Sequence, residues 1–208
     1  MEQVKTITLA DGRSLEIHVD DNPESPREWD NMGTMVCFHR RYRLGDKSHN
    51  YSEKDFSSWD ELRAKIEEDH HPALIYPIFL YDHSGITINM GGFADCDIAR
   101  WDWGQVGFIF VSEEKVCKEY SVKSVTTEVL QRAKNCLLAE VEVYRQYLEG
   151  DVYGFVLRAA PKHCDVCNHT EDGEELDSCW GFYGNDIREN GMLEHLPEDI
   201  HEEVITKA

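Results

Sequence analysis

No stretch of this sequence approaches the roughly 20 apolar residues that a helix needs to cross a bilayer, so a membrane-spanning segment is not expected. The start, Met-Glu-Gln-Val-Lys, lacks the basic and apolar regions of a secretory signal. The expectation is therefore a cytoplasmic protein. Positive charge is also scarce: 21 Lys and Arg face 41 Asp and Glu, a formal net charge of −20. Binding to a phosphate backbone needs clustered positive charge, so direct nucleic-acid binding is not expected, whereas a basic partner is permitted. Gly91-Gly92 is followed by no Gly-Lys-Ser/Thr, which removes a phosphate-binding loop. Repeats and long linkers are missing as well.

What is present is the material of a packed core. Of 208 residues, 41% are hydrophobic and 11% aromatic, far more than a disordered chain carries. The seven cysteines are an odd number without a signal peptide, which argues against a disulfide framework. Cys117 and Cys136 fall among apolar neighbours in predicted helices and read as small core residues.

Alternating residues 4–9 and 14–19, joined by Asp11-Gly12, predict an opening hairpin. A strand is expected over 34–39, then a helix capped by Ser57 or Ser58 and running to about Asp69. Strands are expected over 73–81, 86–90 and 105–111, followed by a helix started by Ser112. Leu130, Ala133, Leu137, Val141, Tyr144 and Leu148 form one apolar stripe, so the longest helix should cover about 126–148 and stop at Gly150. Strands over 152–157 and 178–183 enclose a polar loop, and a helical or irregular tail starts near Asn185. The elements mix rather than alternate as βαβ. The expected class is α+β, a mixed or antiparallel sheet with one long amphipathic helix and shorter ones, in a single domain over 1–208.

Four constellations bear on chemistry. In His163-Cys164-Asp165-Val166-Cys167-Asn168-His169 a Cys-x-x-Cys lets two thiolates reach one tetrahedral ion. Cys164, Cys167, His169 (or His163) and Cys179 are thus candidate ligands of a structural zinc in a knuckle-like loop over 163–179. The plainer reading is a loop of reduced thiols. A Cys–His hydrolase would be built on Cys37 and His39, or on Asp82, His83 and Cys96, and needs a thiolate beside a base that a third group orients. Cys37 and His39 share a face if their segment is a strand. No protease signature surrounds either cysteine, and a half-buried Cys beside a hydrogen-bonded His is the commoner arrangement.

Asp95, Asp97 and Asp102 alternate like the start of a calcium loop, yet the required glycine and distal Glu are missing, so a polar connection is the better reading. The fourth constellation is acidity itself. Residues 165–208 carry 13 acidic side chains against Arg188 and Lys207, a net of −11. Candidate binding residues there are Glu174, Glu175 and Asp177, with Glu128, Glu140, Glu142 and Glu149 on the long helix. Ordered carboxylates can imitate the one negative charge per about 1.7 Å of duplex DNA. An acidic surface that only confers solubility is the commoner case.

The block Pro23-Glu24-Ser25-Pro26-Arg27-Glu28-Trp29-Asp30-Asn31-Met32-Gly33-Thr34-Met35, continuing through Cys37-Phe38-His39-Arg40-Arg41-Tyr42, resembles uncharacterised bacteriophage and prophage accessory proteins. Leu80 to Ile86, Trp103 to Ile109 and Asp177 to Gly184 are similar to further blocks of that group. The resemblance implies a phage setting and assigns no residue a role. Small acidic phage proteins include DNA-like decoys of host nucleases, so the expectation is an accessory protein that binds a basic host protein, with inhibition of a defence enzyme as its sharpest form.

Overall fold

A computed structural model describes residues 2–94, 102–164 and 169–208. The class is α+β: among the described residues there are four α-helices, two four-stranded antiparallel sheets and a small two-stranded ladder. The chain forms two compact units, one inserted in the other. Residues 1–24 and 150–208 make the flanking unit, and residues 25–149 make the inserted unit.

The flanking unit is built on strands β1 (Gln3–Thr8) and β2 (Ser14–Val19), which form the opening hairpin around Gly12. After the insertion the chain continues as β7 (Val152–Arg158) beside β2, then a short hairpin of β8 (Lys162–Cys164) and β9 (His169–Glu171), then β10 (Glu175–Tyr183). The sheet order is β1-β2-β7-β10. Inward-facing Ile7, Leu15, Phe155, Leu157 and Phe182 pack against Ile187, Met192, Leu196, Ile200 and Val204. The last two come from the end of a 3₁₀ turn and from helix α4 (His201–Lys207). Alternation on the strands and a 3–4-residue spacing on the tail thus close one core.

The inserted unit carries β3 (Thr34–Cys37), helix α1 (Trp59–His70), β4 (Pro72–Asp82), β5 (Ile86–Asn89), β6 (Trp103–Ser112), α2 (Glu113–Glu119) and α3 (Thr127–Glu149). Its sheet runs β3-β6-β4-β5, antiparallel throughout. Met35, Ile109 and Val111 face α3 through Ala133, Leu137, Val141 and Tyr144. Val36, Phe108 and Phe110 point the other way, to Leu62 and Ile66 of α1. The strands are apolar on both faces because a helix covers each. Pro77 is tolerated because β4 gains its second neighbour only from Phe79 onward, where β5 begins to pair.

Helix ends follow their side chains. Ser58 and Ser112 accept the backbone N–H of Glu61 and Lys115, and Thr126 accepts that of Val129. Gly150, at φ 75°, stops α3.

Candidate functional site

The residues singled out in sequence scatter across both units. Cys37 closes β3 and points into the core facing α3, where burial pushes its thiol up to about 12. Such a thiol supplies little thiolate at neutral pH. His39 lies beyond the strand end. Its Nδ1 accepts the backbone N–H of Arg41 and of Tyr42, and its ring stacks on Tyr42. Burial first, then Arg41 and Arg40, hold His39 below the ordinary imidazole range. Asp82 is engaged by the Arg41 guanidinium and accepts the Tyr42 hydroxyl at 3.4 Å. His83 is exposed and stacks on Tyr81. Cys96, Asp95 and Asp97 lie outside the described residues.

Of the zinc candidates, Cys164 and His169 are backbone partners in the β8–β9 ladder, and Cys167 lies outside the described residues. Cys179 pairs with Phe155 inside the β7–β10 ladder, which ends at Arg158 and Glu175, and packs on the flanking core. Among the described residues no group of three or more His, Cys, Asp or Glu side chains could hold a metal ion. No described helix is long and apolar enough to cross a membrane.

The acidic candidates divide. Glu128, Glu142 and Glu149 are exposed on α3, where Arg145 ties down the last two at 2.5 Å each. Glu174, Glu175 and Asp177 are exposed around the start of β10, a sheet edge. Glu140 departs from this outer set because it turns inward. Arg27, with a side chain 2% exposed, meets Asp46 through Nε (2.7 Å) and Nη2 (3.1 Å) and Glu140 through Nη1 (3.2 Å). Its Nη2 also donates to the Gly33 carbonyl at 2.7 Å. Glu140 in turn accepts the backbone N–H of Met32 (2.6 Å) and Gly33, and Asp46 accepts that of Met35 (2.9 Å). Every charge in this buried set has a partner, which is the condition for tolerating it there. Gly33 is required where it crosses α3, since a Cβ would lie 2.5 Å from Leu137 Cδ2. The block centred on Arg27 is therefore a structural hub.

A concavity of the inserted unit, about 830 Å³, was not marked by any sequence motif. Thr34 and Phe110, register partners on β3 and β6, contribute to one wall. The last turns of α1 supply Lys65, Asp69 and His70, and residues 48–56 face them with His49, Tyr51, Asp55 and Phe56. Tyr51 donates its hydroxyl to Asp69 Oδ2 at 3.1 Å, and Lys65 pairs with Asp69 Oδ1 at 2.8 Å and with Glu68 at 3.0 Å. The Lys65 hydrogen bond holds the Asp69 carboxyl below its ordinary range, while burial pushes the Tyr51 phenol up to about 12. Rings meet around the cleft: Tyr51 lies 6.1 Å from Phe56 and from His70, and His70 lies 4.9 Å from Phe110. The only sequence signal was a concentration of aromatic and imidazole side chains at 49, 51 and 56 in otherwise polar surroundings, meeting Asp69-His70 at a helix end.

No protein-family model, curated protein or solved structure matches this chain.

Proposed function

We propose that this chain is a non-catalytic binding protein that presents an acidic surface, concentrated on its flanking unit, to a basic protein partner. The observation that carries this reading is how charge divides between the units. The flanking unit holds 20 acidic and 6 basic residues, a net of −14, whereas the inserted unit holds 21 and 15, a net of −6. The flanking unit also spends its cations internally. Arg13 pairs with Asp11 and Asp199, Arg158 with Glu16, and Lys207 with Glu203, while Arg188 donates to the Ile205 carbonyl. What it turns outward around β9 and the start of β10 is Glu171, Asp172, Glu174, Glu175 and Asp177, all exposed. At about 3.3 Å of rise per extended residue, five carboxylates in seven residues give roughly one charge per 4.6 Å, coarser than the about 1.7 Å of a duplex axis and of the order of the about 3.4 Å along one strand. A basic groove that normally holds nucleic acid is accordingly the partner class we favour. A host nuclease in a phage setting, which the sequence resemblance implies, is one instance.

Capture from lysate on the tagged full-length chain, eluted across a salt series, tests this. The expected result is a basic nucleic-acid-binding protein that elutes as salt rises and is displaced by duplex DNA. The triple reversal Glu174→Lys, Glu175→Lys and Asp177→Lys should weaken capture about tenfold or more. Capture that ignores both salt and the reversals overturns the reading.

A further inference from the structure

The cleft between α1 and residues 48–56 belongs to the inserted unit and has no part in the acidic surface of the flanking one. We propose that it is a binding site for a small organic cation, an ammonium or guanidinium group carried on a short chain. Its volume, about 830 Å³, lies within the range of small-molecule sites. Its partly exposed rings, Tyr51 and Phe56, offer the negative π-faces that attract such cations.

Two carboxylates line the same space, and they differ. Asp69 is committed to Tyr51 and Lys65. Asp55 closes a 3₁₀ turn, and its carboxylate has no ion-pair partner among the described residues. Asp55 is thus the counter-charge left for a ligand. Lys65, the one Lys or Arg of the lining, is held by Glu68 and Asp69, so it opposes a second cation less than a free ammonium would. An anion would enter against Asp55, Asp69 and the field of a chain at −20. The same group could reach the cleft on a free amine or on an arginine side chain of a protein.

Titration calorimetry of the full chain with agmatine, which carries a guanidinium and an ammonium, tests the site. One binding event per chain is expected. Asp55→Asn, at an exposed position, and Tyr51→Ala should each weaken it about fivefold. Tyr51→Phe, which keeps the ring, should retain most of the affinity. Glu175→Gln and Asp177→Asn in the flanking unit should change nothing. Absence of binding at millimolar agmatine overturns the proposal. So does binding that ignores Asp55→Asn and Tyr51→Ala, or that falls equally with the flanking-unit variants, because that is condensation on a general acidic surface. An acetylated, amidated Gly-Arg-Gly peptide separates the sources. Affinity equal to agmatine assigns the site to a protein side chain, and binding of agmatine alone assigns it to a free amine. Partner capture in the salt series can fail while agmatine still binds, so this site and the acidic surface stand or fall separately.

Discussion

Arg27 shows how much of the inserted unit hangs on one side chain. Its guanidinium joins the loop at Gly33, the turn at Asp46 and helix α3 at Glu140, with its own side chain 2% exposed. Replacing it with Met should cost about 3–5 kcal/mol in chemical denaturation, since Asp46 and Glu140 are left buried without their cation. Nothing local in the sequence announces this, because the partners lie 19 and 113 residues away. Glu140 read as one more exposed charge on an acidic helix for the same reason. A second residue-scale consequence concerns alkaline pH. Burial pushes the phenols of Tyr144 and Tyr153 and the thiol of Cys37 up to about 12. The folded state keeps these protons at pH values where the unfolded chain has released them. Their stabilising effect is whole below the ordinary values, 9.0 for the thiol and 10.0 for the phenols, and is lost as pH rises toward 12. Urea midpoints should therefore fall between pH 9 and 11.5, and Tyr144→Phe should flatten that fall. A midpoint independent of pH over this window would contradict the burial of these groups.

Elements were legible where their signals are local. The Ser58, Ser112 and Thr126 caps, the Gly150 stop and the two-residue alternation of the strands can each be read from a few neighbouring residues. Pairing across distance was not. Cys37 and His39 share a strand parity, yet the strand ends at Cys37 and His39 is drawn into a turn around its own Nδ1. Gly154 gives a sharper case. It sits inside β7 and faces Trp180 across the ladder, and a Cβ placed there would lie 2.1 Å from Trp180 Cε3. The bulge at Gly181, with φ 86°, belongs to the same stretch of β10. Gly154→Ala should thus destabilise the flanking unit by about 1–3 kcal/mol, measured by thermal unfolding, because the indole must leave its place. A double variant with Trp180→Leu should recover part of the loss. If it recovers none, backbone strain rather than the indole is responsible.

At the scale of the whole molecule, an insertion leaves little trace in composition. The chain passes between the units at Glu24–Ser25 and Glu149–Gly150, with no Gly- or Ser-rich linker at either point, so one continuous domain and a nested pair look alike in sequence. Net acidity was plain from composition, but its allocation to the units depends on the fold. That allocation has a thermodynamic consequence independent of any partner. A unit at −14 over 83 residues repels itself, and raising salt from about 0.01 M to about 1 M shortens the screening length from about 30 Å to about 3 Å. Screening also weakens exposed ion pairs such as Lys47–Glu28, but those contribute little to begin with, and the Arg27 set is too buried to be screened much. Salt should therefore stabilise the flanking unit more than the inserted one. Native-state hydrogen exchange resolves the two in a single sample. Slow amides of β2, β7 and β10 should gain about 1 kcal/mol of protection over that range, against a smaller change in β4 and β6. Equal gains would mean that the two units unfold as one cooperative block, and a loss in β7 would mean that its carboxylates are already neutralised by partners within the chain.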